Sequence, residues 1–384
     1  MGPNTRLASE KAMCQDVFFW KTAVKSARLQ RLRNSLGLFT CVSALCAVSL
    51  AAVWASPKDL PGANGVPGAA TEFANGDGSR AAAPLSAEEA DEDFRARCHA
   101  AGVIKCVGWD DPLDFMPPRD RGGYADGLYP ASDGTYQGLM DPTIKTSGAG
   151  SLRFVIRPHV TSNWTGFWRA NFGTQPKVRR FGPHSTLYLQ FRLRLDAKLL
   201  SFKWNTVSDT GWKVFIAYGP IPGPSCTGAQ FVQENTYQTN IATAYTSCGT
   251  PSLETNNGVP PKLVEQGDYN CWYRHQGSYA KDSSCFAYPA DTWMTEYWIV
   301  EIGDYGEPNT HFTAYIAPQG KPLKRFIDLP NFRFNKGGDE EDALMSILLQ
   351  PYMGGADGSK DSPATSMWFD ELIISTQPIA APKY

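Results

Sequence analysis

The feature that most constrains the fold is the stretch from Leu187 to Leu195, in which apolar and polar side chains alternate without a break. The apolar positions are Leu187, Leu189, Phe191, Leu193 and Leu195, and the polar positions between them are Tyr188, Gln190, Arg192 and Arg194. A period of two sustained over this length predicts a β-strand with one face in an apolar core. The chain is therefore expected to build a sheet around this strand.

The polar face of this strand carries a phenol, an amide and two guanidinium groups, where a solvated face usually carries Thr, Ser, Lys and Glu. These planar hydrogen-bonding groups suit sugar hydroxyls and carboxylates. One interpretation is the floor of a polysaccharide-binding cleft. The other is an Arg-rich outer face of a sandwich, with Arg192 and Arg194 paired to Glu234 and Glu301 on neighbouring strands.

Strand-like segments recur beyond residue 98, and helical periodicity is nearly absent there. They are Leu152–Ile156, Leu187–Leu195, Trp212–Tyr218, Gln230–Tyr237, Tyr297–Ile302, His311–Ile316, Leu344–Leu349 and Met367–Ile374. Many short strands without intervening helices are typical of two packed sheets. The sequence therefore predicts an all-β fold over residues 96–384, a two-sheet antiparallel β-sandwich of the jelly-roll type.

The N-terminal part of the chain has the pattern of an export signal. Residues 1–34 are rich in Lys and Arg, and residues 35–55 form an uncharged apolar segment. A run of this length spans a hydrocarbon core of about 30 Å, and basic residues on its N-terminal side keep that side in the cytoplasm. Two interpretations compete: a transmembrane signal anchor that contacts the membrane through residues 36–55, or a signal peptide cleaved after Ala55. Either predicts an extracellular or lumenal C-terminal domain.

Residues 56–95 connect this segment to the sandwich. They are rich in Ala, Gly, Pro and Ser and become acidic near their end. A segment with so few large apolar residues does not bury a core, so it is predicted to be a disordered stalk. The expected organisation is a cytoplasmic tail (1–34), an apolar segment (35–55), a stalk (56–95) and an ectodomain (96–384).

Cysteine placement agrees with export, because an even number of cysteines in an exported domain predicts disulfides. The cysteines beyond the stalk are Cys98, Cys106, Cys226, Cys248, Cys271 and Cys285. The sequence does not fix their pairing, although proximity favours Cys98–Cys106, Cys226–Cys248 and Cys271–Cys285. A zinc site is the alternative use, but it has no support from a Cys-x-x-Cys pair or clustered histidines.

No cofactor and no catalytic metal are predicted. The aspartates of one Gly-rich segment have oxygen ligands suited to a structural calcium ion. They are Asp110, Asp111, Asp126 and Asp133. A twelve-residue calcium loop is missing from the sequence, so a solvated loop is the favoured interpretation. The net charge of −2 also gives no sign of a basic nucleic-acid-binding surface.

Residues 182–194, Gln350–Met353 and Met367–Thr376 together resemble the concanavalin A-like lectin/glucanase superfamily, in particular an exported subgroup of it. The resemblance runs over residues 150–378. It implies two antiparallel sheets, one of them concave, with sugars bound across the concave face. The superfamily includes legume-type lectins, laminin-G-like modules, glucanases and polysaccharide lyases, so membership alone does not define an activity.

Glucanases of this superfamily carry a Glu-x-Asp-x-x-Glu pattern on one strand, and the sequence has none in its predicted strands. Retaining hydrolysis requires two carboxyl groups about 5 Å apart. Asp370 and Glu371 are adjacent, so strand alternation predicts that their side chains leave opposite faces. Glycoside hydrolysis is therefore not expected.

Lyase chemistry requires groups that neutralise a uronate carboxylate and a Tyr or His that moves the adjacent proton. Candidate binding residues are Tyr188, Gln190, Arg192, Arg194 and Lys213, with Trp164 and Trp272 as stacking platforms for sugar rings. Candidate catalytic residues are Tyr352, His311 and Tyr315. The Gln and His that lyase signatures of the superfamily pair on one strand are missing here.

The leading hypothesis is an exported jelly-roll protein that binds an acidic polysaccharide, with cleavage by β-elimination left open. A non-catalytic lectin or adhesin that uses the same face is the first alternative. A structural cell-surface protein without a ligand is the second.

Overall fold

The computed structural model describes residues 85–383 apart from 117–125, 162–164, 175–176, 205–211, 220–228, 236–239, 241, 247–262, 265–285, 335–342 and 355. The predicted tail, the apolar segment and the stalk up to residue 84 lie outside the described residues. In the part of the chain that is described, no helix has the length and apolar character needed to cross a membrane.

The described residues form two antiparallel sheets, A and B. Sheet A contains β1 (Val103–Val107), β3 (Gly138–Asp141), β4 (Ser151–Ile156), β8 (Ser185–Leu195), β13 (Met294–Ile302), β14 (Pro308–Pro318), β15 (Lys324–Arg333) and β17 (Thr365–Ser375). Sheet B contains β2 (Gly127–Tyr129), β5 (Phe167–Asn171), β9 (Trp212–Tyr218), β10 (Gln230–Asn235), β11 (Thr243–Thr246), β12 (Leu263–Val264) and β16 (Ser346–Tyr352). A short ribbon pairs β6 (Gly173–Thr174) with β7 (Lys177–Val178). The described helices are α1 (Ala87–Cys98), α2 (Ala197–Ser201) and a 3-10 turn, Pro112–Phe115.

The strand order in sheet A is β15-β14-β13-β8-β17-β4-β3, with β1 added along β17, and the order in sheet B is β12-β11-β10-β9-β16-β5-β2. All strand pairs are antiparallel. The predicted two-sheet antiparallel sandwich is confirmed, and each of the eight predicted strands is present. Strand β8, which contains the alternating stretch from Leu187 to Leu195, lies in the middle of sheet A.

The core lies between the inner faces of the two sheets. The five apolar residues of β8 are fully buried there, as their alternation predicts. The ring of Phe191 in sheet A packs edge-on against Phe215 in sheet B, with centroids 5.6 Å apart. Burial of side chains of this size stabilises the fold by roughly 1.5–3 kcal/mol each. This apolar contact holds the sheets face to face.

Helix α1 corrects the predicted end of the stalk, because residues 87–95 are helical. Ser86 accepts a hydrogen bond from the Glu89 amide, and the Glu89 side chain bonds back to the Ser86 amide, which satisfies two amides at the start of the helix. Phe94 and Arg97 are buried against sheet A. Tertiary contacts made by these two residues order a segment whose average composition predicts a flexible chain.

The predicted Cys98–Cys106 disulfide is confirmed and joins the end of α1 to β1. The other predicted pairs, Cys226–Cys248 and Cys271–Cys285, lie outside the described residues.

Candidate functional site

The polar row of β8 lies on the outer face of sheet A, and the middle of that row is covered. Gln190 is only 1% exposed and Arg192 only 3% exposed. Helix α1 lies on one side of Gln190, where Arg97 donates to its carbonyl oxygen at 2.8 Å. The C-terminal segment lies on the other, where Gln190 donates to the carbonyl of Ala380 at 3.1 Å. The prediction that these side chains line an open sugar cleft is therefore wrong.

The cations of this face are bonded to internal groups. Arg97 bonds to Asp93 at 2.9 Å and also to Glu371, and Arg192 donates to the Thr295 hydroxyl at 2.7 Å. Burial alone would raise the pKa of Glu371, but the charges of Arg97 and Arg192 outweigh it and lower that pKa. The guanidinium groups thus stabilise an internal carboxylate. These contacts make the row a structural network, but the partners shown for Arg192 are Thr295 and Glu371, not the predicted Glu234 and Glu301.

The space left under α1 is small. A cavity of about 70 Å³ lies between the helix and the C-terminal segment, and its lining includes Arg97, Arg192, Thr146 and Lys383. Small-molecule pockets usually measure at least about 300 Å³. The space beneath α1 therefore has no room for a sugar ring while the helix is in place.

The expectation that Asp370 and Glu371 leave opposite faces of their strand is also wrong. The pairing of β17 with β8 shifts register between Asp370 and Ile373, and Glu371 has a φ of 49°, in the left-handed region. The bulge brings both carboxyl groups to the Thr146 hydroxyl, at 2.8 and 2.9 Å. Burial, together with the charge of Glu371, raises the pKa of Asp370 well above its usual range. The two carboxyl groups are therefore internal and bond to Thr146, and Glu371 also bonds to Arg97 of helix α1.

The other predicted residues of sheet A make local contacts. Arg194 lies over the Trp368 ring at 5.8 Å and pairs with Asp291 at 3.7 Å. Tyr188 and Tyr315 flank Tyr297, with ring centroids 6.5 and 6.1 Å away. These tyrosines form part of the surface on which the C-terminal segment packs, since the Tyr297 hydroxyl accepts from the Ile379 amide at 3.0 Å.

His311 lies between two carboxylates, Glu301 at 3.0 Å and Asp328 at 2.7 Å. All three belong to the outer face of sheet A, on the opposite side of the sandwich from Tyr352. The structure therefore separates the predicted catalytic residues: His311 and Tyr315 are in sheet A and Tyr352 is in sheet B. Glu234, the other proposed partner of the arginines, also belongs to sheet B.

Two predicted residues do meet on the outer face of sheet B. Tyr352 on β16 pairs with Lys213 on β9, and the Lys213 Nζ lies 4.6 Å from the centre of the Tyr352 ring. Both side chains are half-buried. This is the geometry of a cation–π contact. The two residues form the centre of the candidate site.

Lys213 reaches the outer face because β9 contains one extra residue. Gln233 of β10 pairs with Phe215, and the next residue, Glu234, pairs with Lys213, so Val214 has no partner in this ladder. Phe215 and Val214 are both buried in the core. Without the bulge, alternation from Phe215 would point Lys213 into the core as well.

The rest of this face combines aromatic rings, an apolar centre and a second cation. Arg169 lies over the Tyr218 ring at 5.4 Å and also bonds to the Tyr129 hydroxyl. Tyr129 stacks on Phe167 with centroids 4.7 Å apart. The apolar centre is formed by Ile216, Val232 and Leu348. We call the set Tyr129, Phe167, Arg169, Lys213, Tyr218 and Tyr352 the sheet B surface.

The sheet B surface is not uniformly accessible. Arg169 is 4% exposed, whereas Tyr129, Phe167, Lys213 and Tyr352 are half-buried. The accessible groups are therefore one aromatic pair, Tyr129 and Phe167, and one cation–aromatic pair, Lys213 and Tyr352.

Sequence reasoning missed Arg169, Tyr218, Tyr129 and Phe167, although the signal is present in β5. In β5 the side chains of Trp168 and Ala170 belong to the core. The residues that alternate with them, among them Phe167 and Arg169, lie on the opposite face of the strand. The predicted stacking residues Trp164 and Trp272 lie outside the described residues.

The aspartates considered for calcium are bonded to protein groups. Asp110 accepts from the amide of Gly150 at 3.2 Å, Asp133 accepts from Arg157 at 2.6 Å, and Asp126 pairs with a lysine, Lys105. Within the described residues no group of three His, Cys, Asp or Glu side chains is arranged to hold a metal ion.

No protein-family model matches the sequence, and a comparison with curated proteins gives no match either. Among solved structures, an alginate lyase from Aplysia kurodai is similar, with 12% identity, a TM-score of 0.45 and coverage of 72% of this chain and 100% of that one. An endo-β-1,4-glucuronan lyase from Trichoderma reesei has 13% identity, a TM-score of 0.39 and coverage of 67% and 92%. The binding domain of botulinum neurotoxin serotype D has 12% identity, a TM-score of 0.34 and coverage of 73% and 49%. At these identities and TM-scores the likeness assigns no activity to the chain.

Proposed function

We propose that the sheet B surface binds an acidic polysaccharide. The observation that carries the proposal is the half-buried Lys213–Tyr352 pair, which a strand bulge turns to the outer face of the sheet. An ammonium group attracts a uronate carboxylate, and an aromatic face beside it packs against the apolar side of a sugar ring. Bulges of this kind often aim a side chain at a functional site.

Arg169 contributes from a deeper position on the same face. Its guanidinium group bonds to the Tyr129 hydroxyl and lies over the Tyr218 ring. These contacts hold the two phenols in fixed orientations. A rigid aromatic platform binds a sugar with little loss of side-chain entropy.

Cleavage by β-elimination is the finer part of the proposal. In that reaction a base removes the proton from the carbon beside the uronate carboxylate, a C=C bond forms, and the glycosidic C–O bond breaks as its oxygen takes up a proton. Tyr352 is the candidate for the proton transfers, with Lys213 holding the carboxylate whose negative charge grows in the transition state. His311 and Tyr315 have no part in it because they lie in sheet A.

We also propose that the sandwich is exported, either anchored in a membrane or secreted. The Cys98–Cys106 disulfide supports this location, since disulfides persist in oxidising compartments. The sugar-bearing partner would then be an extracellular or lumenal glycan.

The test is binding of the full-length protein to polyuronates and to a neutral glucan. Lys213→Met should weaken polyuronate binding at least about tenfold, which corresponds to ~1.4 kcal/mol. The matched control is Lys324→Met, which removes an exposed lysine of β15 and should leave binding unchanged. Equal binding by the wild type and Lys213→Met would place the ligand elsewhere.

Turnover separates a lyase from a lectin. A lyase releases an unsaturated uronate, which absorbs in the ultraviolet. Tyr352→Phe should then abolish this absorbance while it retains binding. Binding without any absorbance in the wild type would support the lectin alternative.

A further inference from the structure

The two sheets meet at one polar cluster within their apolar core. Glu296 projects from the inner face of sheet A and Gln233 from the inner face of sheet B, and both are fully buried. Trp298 donates through its indole N–H to Glu296 Oε2 at 3.0 Å. Gln233 donates through Nε2 to the Tyr288 hydroxyl at 3.0 Å. Gln233 also bonds to Glu296, so the cluster connects the two sheets through side-chain hydrogen bonds.

Two acceptor atoms of this cluster have no hydrogen-bond donor within the described residues. Glu296 Oε1 and Gln233 Oε1 are both buried, and neither accepts a hydrogen bond from any residue that the structure describes. A buried acceptor without a donor is costly, and a buried carboxylate is costlier still. A proton on Glu296 removes the charge and converts one of the acceptors into a donor.

The surroundings also disfavour a charged carboxylate. Glu296 lies between Phe191 and Ile316 in the neighbouring strands. Burial raises the pKa of Glu296 from 4.5 to about 7, against the opposing hydrogen bonds from Trp298 and Gln233. Among the described side chains, the other titratable group that faces it is Tyr288, whose pKa burial also raises.

We propose that Glu296 is held as a neutral carboxylic acid between the two sheets, and that its ionisation weakens their contact at Gln233, next to the strand segment that carries Lys213. The chain thus contains a pH-sensitive element that acts on the sheet B surface.

The connection to Lys213 runs along β10. Gln233 pairs with Phe215, and the next residue, Glu234, pairs with Lys213 across the bulge. A displacement of the Gln233 side chain by a negative charge on Glu296 therefore acts on the strand segment that positions Lys213. The effect on ligand binding rests on the proposed function of the sheet B surface, whereas the effect on stability does not.

The direction of the pH effect follows from the raised pKa of Glu296. The folded protein keeps this proton to a higher pH than the unfolded chain, so the contribution to stability is complete below about pH 4.5. This contribution is lost as the pH rises from about 4.5 to about 7, and the effect of Glu296 on stability changes little above pH 7. The expected loss is on the order of 100-fold in the folding equilibrium, since each pKa unit corresponds to about tenfold.

The experiment is denaturant unfolding of the full-length protein between pH 5 and pH 8.5, at several intermediate values. Glu296→Gln keeps the shape and removes the titration, so it should lack the loss of stability that the wild type shows. Glu307→Gln, at an exposed position between β13 and β14, is the matched control and should behave as the wild type. The same pH dependence in the wild type and Glu296→Gln would overturn the proposal.

A second measurement uses the wild type alone and so does not depend on the variant folding. Amide hydrogen exchange, corrected for its intrinsic pH dependence, should show protection in β10 and β13 falling between pH 5 and about pH 7 relative to β4, with little change above that. Equal protection at all pH values in these strands would also overturn the proposal.

Polyuronate binding over the same pH range distinguishes this inference from the function. Binding by the wild type should weaken above pH 7 more than binding by Glu296→Gln. If no polyuronate binds at any pH, the proposed function fails, while the unfolding comparison still decides the state of Glu296.

Discussion

The outer faces of the two sheets carry similar kinds of residue and differ in what lies on them. On sheet A, Arg97 and Arg192 surround the buried carboxylate of Glu371 beneath helix α1. On sheet B, Lys213 lies over a tyrosine ring and is half-buried. A cation paired with an internal acid stabilises the fold. A half-buried cation over an aromatic ring lies where a ligand carboxylate can reach it.

The comparison shows that polar residues on a strand do not by themselves mark a binding face. Gln190 and Arg192 have the side chains expected of a sugar-binding floor, yet their hydrogen bonds go to α1, Thr295 and the C-terminal segment. The distinction between the faces can be tested by mutation, because a sealed face should affect stability and an open one should affect binding.

The largest effect is expected for Arg97→Met, which removes the cation between Asp93 and Glu371. A buried carboxylate that loses its partner costs about 3–5 kcal/mol, so the free energy of unfolding should fall by that amount in denaturant titrations. Arg95→Met, on the exposed side of the same helix, should change it by less than about 0.5 kcal/mol. If folded Arg97→Met loses polyuronate binding while Lys213→Met keeps it, the roles of the two faces are reversed.

A smaller loss is expected when the disulfide is removed by Cys98→Ser with Cys106→Ser. This bridge closes a short loop at the end of α1, and the chain-entropy estimate is about 2–3 kcal/mol. Thermal unfolding should show the loss, and polyuronate binding at neutral pH should be unchanged because the bridge lies against sheet A. A change in binding as large as that of Lys213→Met would mean that the two faces are coupled.

The smallest effect is expected for Thr146→Val, which removes the hydroxyl group shared by Asp370 and Glu371. The Thr146 amide still donates to Asp370 at 2.8 Å, so the expected loss of unfolding free energy is about 1–2 kcal/mol. Thr292→Val is the control, since that hydroxyl bonds the nearby carbonyl of Ala290. No difference between the two variants in denaturant unfolding would show that the carboxyl pair does not depend on this hydroxyl.

Much of the fold was predictable because strand alternation is a local signal. The apolar positions of β8 enter the core as their period requires, and the Cys98–Cys106 pair follows from its short separation. The candidate site was predicted in part: Tyr352 and Lys213 meet, but Arg169 was not found. Strand bulges limit the prediction of the site from sequence. At Val214, which has no partner in its ladder, and at Glu371, whose backbone is in the left-handed region, a bulge changes which side chains share a face.

Strand alternation was sufficient to predict two sheets around an apolar core, because a period of two requires one face of each strand to leave water. Tertiary structure alone decided which polar face stays accessible. Helix α1 and the C-terminal segment are distant from β8 in the chain, and their docking buries Gln190 and Arg192. A buried guanidinium needs an internal partner, so the same residues that suit a sugar carboxylate became part of the scaffold.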